Sequence, residues 1–135
     1  WFRSLNLTNE DLDKLEKILE SREFELIKAQ NEIRILQAQI ANILVDPDPD
    51  LKAIEEAISK SLQYEKTVRM IQIERQVAIR KVVGEDRWQT ILLLVNEARM
   101  SEKTGKFANS FSTKGLSVEE SNRYSHLLAI LRRIM

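Results

Sequence analysis

Three acidic residues at alternate positions, Asp46, Asp48 and Asp50, have the spacing with which a calcium loop begins. The match stops there. Leu51 stands where the loop's sharp turn needs glycine, and Ala57 stands where a bidentate glutamate would close the site. Pro47 and Pro49 intrude as well, so the segment reads as a solvated acidic turn. Gly105-Lys106 has the ending of a phosphate-binding loop. Met100 occupies the place of its first glycine, and Phe107 the place of the Ser or Thr that would hold Mg²⁺. A weak metal set can be drawn from His126 with Glu97 and Met100, the last two spaced three apart on one helix. His126 has little help on its own helix, because positions 122 and 130 are Asn122 and Ile130. It reads first as a partly buried structural histidine. Adjacent carboxylates such as Glu55-Glu56 and Glu119-Glu120 point to different sides of a helix, so they are no acid–base dyad. No catalytic residue and no cofactor is assigned, and the chain reads as a non-enzyme.

Composition narrows the classes further. The 135 residues make one domain, 1–135, with 21 basic and 21 acidic side chains and a formal net charge of zero. Nucleic acid and anionic membranes both favour a basic surface, and a balanced chain makes no case for either. The 43% hydrophobic content is too high for disorder, and the 31% charged content is too high for a membrane protein. No apolar run is long enough to span a bilayer. With no cysteine there is no disulfide, thiolate metal site or cysteine nucleophile, and a single histidine argues against a Ser-His-Asp triad. The chain opens on Trp1-Phe2-Arg3 rather than Met, which reads as a processed or trimmed chain. Those residues are either the stub of a removed signal or anchor, or a hydrophobic staple at a frayed end.

Only 3 Gly and 2 Pro interrupt the chain, so its elements must be long. Thr8 suits a helix N-cap, with Asp11 in the reciprocal position of a capping box. Leu12, Leu15, Leu19, Arg22, Leu26, Ala29, Ile33, Leu36, Ile40 and Ile43 then follow a 3–4 spacing in which only Arg22 is not apolar. This seam predicts one long helix over about 9–44. A second stripe, Phe24, Ile27, Asn31, Ile35 and Ala38, has spacing 3, 4, 4, 3 and lies on the opposite face. Both sides of that helix therefore want cover, by a dimer partner, a client or the last helix. The Asp/Pro segment ends the helix, with Asp48 expected as the next N-cap and Pro49 as the first helical residue.

A second long helix is expected over about 49–83, ended by Gly84 and with a broad apolar surface that includes Ile58, Leu62, Ile71, Ile73 and Val77. Two long helices joined by a few residues form an antiparallel hairpin. Shorter helices follow at about 86–102 and 118–135, the latter opened by a capping box of Ser117 and Glu120. Phe107 and Phe111 are expected to pin the intervening loop. The fold class is all-α, with no strand signal.

These features together resemble the Spy/CpxP-like family of periplasmic helical proteins, named for an LTxxQ motif and including periplasmic heavy-metal sensors. Leu7-Thr8-Asn9-Glu10-Asp11 matches the Leu-Thr, with Asp11 for Gln. Leu116-Ser117-Val118-Glu119-Glu120 is a looser copy, and Val83-Gly84-Glu85-Asp86-Arg87-Trp88 holds the place of a further, degenerate one. The resemblance spans most of residues 5–102. It implies a periplasmic stress-response protein that binds unfolded or envelope-stress partner proteins as an ATP-independent chaperone, working as a homodimer of helical hairpins. For the sensor branch it implies metal binding through His, Glu and Met, although the first long helix here has no histidine. A metal-responsive sensor domain and a structural coiled-coil adaptor are the alternatives.

Overall fold

A computed structural model describes residues 5–104, 115 and 117–134. Five helices are present among them: α1 (Asn9–Glu20), α2 (Glu23–Ile43), α3 (Leu51–Val83), α4 (Glu85–Thr104) and α5 (Val118–Ile134). No described residue lies in a strand, so the all-α class holds. No helix is long and apolar enough, among the described residues, to cross a membrane. Trp1-Phe2-Arg3, Gly105-Lys106, Phe107, Phe111 and Leu116 lie outside the described residues.

The first predicted helix is two helices rather than one over 9–44. Ser21 and Arg22 form a turn, and Arg22 takes a left-handed conformation with φ 60° and ψ 18°. A side chain with a Cβ adopts that region at a cost, so something must compensate. The Arg22 guanidinium binds Glu25 at 2.8 Å and also pairs with Glu74 of α3. Those hydrogen bonds hold the Glu25 carboxyl below its usual range. The one polar residue in the apolar seam is thus the hinge of the break.

The chain divides into two compact units. One, residues 21–74, is a hairpin of α2 and the first part of α3. Leu26, Ala29 and Leu36 of α2 and Ala57, Ser61 and Ile71 of α3 are its buried positions. In the turn, Asp46 Oδ1 accepts the Asp48 N–H at 3.0 Å. Asp50, not Asp48, caps α3: its Oδ1 accepts the N–H groups of Lys52 at 3.1 Å and Ala53 at 3.2 Å. Helix α3 therefore starts two residues later than expected. A cap needs a side-chain acceptor at the right distance, and each of the three aspartates offers one. Only the geometry of the turn chooses among them.

The other unit, residues 1–20 and 75–135, has a conventional core. Leu12, Leu15 and Leu19 of α1, Ile79 and Val83 of α3, Trp88, Ile91, Leu94 and Val95 of α4, and Tyr124, Leu127, Ile130, Leu131 and Ile134 of α5 form one cluster. Gly84 joins α3 to α4 alone. Its N–H reaches the Arg80 carbonyl at 2.9 Å, and its own carbonyl accepts the Trp88 N–H at 2.9 Å. Its φ of +84° is open to glycine and strained for other residues.

Candidate functional site

Helix α2 has apolar residues on two opposite faces. Leu26, Ala29 and Leu36 are buried in the hairpin seam. Phe24, Ile27 and Ile35 point away from it and are 80%, 47% and 50% exposed. Asn31 and Ala38, between and after them, are exposed too. Single exposed apolar residues are ordinary, whereas Phe24, Ile27 and Ile35 lie at helical spacing on one face. Lys28 and Arg34 flank the row, and the Arg34 guanidinium donates to Asn31 Oδ1. Helix α3 repeats the arrangement: Ala57 and Ser61 face the seam, while Leu51, Ile58 and Leu62 are exposed. Ile73 and Val77, expected in the broad apolar surface of this helix, are exposed as well. Leu44 and Val45 at the turn add further apolar surface.

Between the two helices near the turn lies an open groove of about 450 Å³, lined by Leu36, Gln39, Asn42 and Ile43 of α2 and Ala53, Glu56, Ala57 and Lys60 of α3. Two alanines on the α3 side leave this space, because they do not reach across as the leucines elsewhere do. Its lining mixes aliphatic, amide and charged groups.

The motif residues are caps. Thr8 Oγ1 accepts the Asp11 N–H at 3.1 Å, and Asp11 Oδ2 accepts the Thr8 N–H at 3.1 Å. Ser117 and Glu120 make the same reciprocal pair at 3.1 and 3.2 Å. Leu7 is buried in the core beneath the first box. Arg87, in the degenerate third copy, links the first box to the α3–α4 junction. It donates to the Val83 carbonyl at 2.6 Å and the Leu5 carbonyl at 3.4 Å, and lies 3.5 Å from Asp11.

The Thr8 N–H, then the charge of Arg87, hold the Asp11 carboxyl below the ordinary aspartate range, against the opposing effect of burial. A lowered carboxyl pKa stabilises the fold above the unfolded value, about 3.9, and that stabilisation disappears as pH falls through the folded value. Asp11→Asn is therefore expected to be less stable than the parent at pH 7, by a margin that shrinks at pH 3. Urea midpoints at the two pH values check this, and an equal margin at both would exclude the ionised carboxylate as the source.

His126 is half-buried on α5. Its Nε2 stands 3.1 Å from Glu16 Oε2 of α1, and the other oxygen of Glu16 lies 3.4 Å from Arg133. Met100 is exposed. Glu97 acts on Tyr124 instead: burial first, and the Glu97 charge second, push the Tyr124 hydroxyl up to about 12, so it stays protonated at neutral pH. Among the described residues no group of three or more His, Asp or Glu side chains is placed to hold a metal ion.

Two long-range contacts had no motif to announce them. Arg75 is buried and donates to the Leu19 carbonyl at the end of α1. Its only signal is a charged residue midway between Ile71 and Ile79 at four-residue spacing. Glu16, which gathers His126 and Arg133, has no sequence signal. Comparisons with protein-family models, curated proteins and solved structures return no match.

Proposed function

We propose that this chain is a non-catalytic, protein-binding helical hairpin that holds unfolded or partner polypeptides without ATP, as a chaperone-like stress-response protein. The observation that carries the reading is the exposed row Phe24, Ile27 and Ile35, set opposite the buried seam of the same helix. An outward apolar row costs solubility and contributes nothing to the hairpin's own core. Its retention makes sense if another polypeptide covers it. The matching exposed row on α3 supports the same reading. The periplasm as its place, and envelope-stress proteins as its partners, rest on the family resemblance. That resemblance is supported by the two reciprocal caps at the motif positions.

The test is light scattering of an unfolding client protein with equimolar chain and no nucleotide. Suppressed aggregation is expected. Phe24→Ser with Ile27→Ser should weaken suppression several-fold while the far-ultraviolet circular dichroism stays unchanged, because neither side chain is in the buried seam. Full suppression by the double variant would show that the row is not the binding surface.

A further inference from the structure

The tip of the α2–α3 hairpin combines the open groove with a charge that the chain as a whole does not carry. From Asp46 to Glu56 the sequence places five carboxylates, Asp46, Asp48, Asp50, Glu55 and Glu56, against one ammonium, Lys52, in a chain of zero formal net charge. All six side chains are exposed. Elsewhere in the same hairpin carboxylates are matched, since Glu25 and Glu74 share Arg22. Among the described residues none of the five at the tip is ion-paired. Asp46 and Asp50 accept backbone N–H groups, which fixes their position without cancelling their charge. We infer that the groove and the acidic turn beside it form a docking site for a cationic amphipathic helix of a partner protein. This goes beyond the reading of the exposed α2 row as a client surface, because it uses none of the residues of that row and selects its occupant by charge.

The groove has the form that a third helix needs. It runs between α2 and α3, and Ala53 and Ala57 on its α3 side are small enough for another helix to approach closely. Leu36 and Ile43 supply apolar cover from α2. Its volume of about 450 Å³ falls in the roughly 300–1,000 Å³ range of binding clefts. Asp50 precedes Ala53 by three residues and so continues that face to the turn, where Asp46 and Asp48 stand. Glu56 belongs to the lining itself. Lys60, also in the lining, lies ten residues beyond Asp50, about 15 Å along α3. The groove is therefore polar along its length, and the partner's cations belong at the turn end. Leu44 and Val45 extend the exposed apolar surface there. A helix with leucine-type side chains along one stripe and Lys or Arg beside it fills the groove and meets the carboxylates together. Anionic lipid and nucleic acid carry the wrong sign for this surface. A second copy docked tip to tip about a two-fold axis would set the same carboxylates against themselves.

The test uses the full chain and a synthetic helix-forming peptide of Leu and Lys at helical spacing, followed by fluorescence anisotropy. Its counterpart with Glu in place of Lys is titrated beside it. The Lys peptide is expected to bind and the Glu peptide not to. Asp46→Asn with Asp48→Asn and Glu56→Gln should weaken binding about tenfold, as the loss of a few exposed charge pairs does, and the difference should fade at about 0.5 M salt. These side chains are exposed and asparagine keeps the acceptor at the turn, so the far-ultraviolet circular dichroism should not change. Ala53→Met fills the groove without altering its charge and should weaken binding several-fold. Phe24→Ser with Ile27→Ser should leave the peptide affinity unchanged. The inference is overturned if the parent chain does not bind the Lys peptide, if the Glu peptide binds equally, or if the triple variant or Ala53→Met binds as tightly as the parent. Loss of the peptide in the Phe24/Ile27 variant would assign it to the α2 row instead. Self-association that the triple variant abolishes, or binding of phosphatidylserine vesicles in preference to the peptide, would name a different occupant and equally overturn it. The triple variant should still suppress aggregation of an unfolding client, so failure at the tip and failure of the client reading are told apart.

Discussion

Leu127→Ala is expected to lower the unfolding free energy by about 3 kcal/mol, within the range found when a fully buried leucine is truncated. Leu127 is wholly enclosed in the cluster that joins α1, the end of α3, α4 and α5. Its removal loses transfer energy and opens a cavity, because its neighbours on four helices are held by their own backbones and relax only in part. For a chain of this size the loss corresponds to a fall in Tm of about 10 °C. Trp88, buried in the same cluster, reports the transition by fluorescence. A fall of less than about 1 kcal/mol would mean that this core is looser than its burial indicates. Ile27→Ser is the contrast. It removes a side chain of similar size from the exposed row and should leave the midpoint nearly unchanged.

Arg75→Met is the second large effect, with an expected loss of about 2–3 kcal/mol, the range for a lost hydrogen bond from a charged donor that leaves a buried acceptor unsatisfied. Leu19 lies in the last turn of α1, where a carbonyl has no partner within the helix. Arg75 supplies one from α3. Methionine keeps much of the length and volume and removes the guanidinium donors, so the substitution keeps most of the packing while the polar interactions of Arg75, the bond to Leu19 among them, are lost. Urea unfolding of the two proteins gives the difference. A Met variant as stable as the parent would show that water satisfies the Leu19 carbonyl equally well. The same contact explains how the chain tolerates a break at Ser21–Arg22: the open end of α1 is capped by a distant side chain.

Much of this was legible in local sequence because the physics involved is local. Helix caps depend on residues three apart, and both boxes formed where Thr8–Asp11 and Ser117–Glu120 placed them. A glycine after a long apolar pattern ends a helix, as Gly84 does. Periodicity separates the faces of a helix, so the buried seam of Leu26, Ala29 and Leu36 and the exposed row of Phe24, Ile27 and Ile35 were both readable from spacing. The metal candidates were less legible. His126, Glu97 and Met100 have suitable chemistry, but spacing within a helix does not say what the neighbouring helix presents. Here it presents Glu16 to His126.

By itself, then, the sequence determined the helical class, the capped helix starts, the glycine junction and the presence of a second apolar face on α2. Each of these depends on residues within one or two turns of each other. The tertiary structure decided where the first long pattern breaks, because the heptad phase runs unbroken through Arg22. The left-handed turn there depends on Glu74, fifty-two residues away, and the open helix end on Arg75, fifty-six residues from Leu19. It also decided that Asp50 rather than Asp48 caps α3. Interactions between residues far apart in the chain are set by packing, and no local propensity reports them.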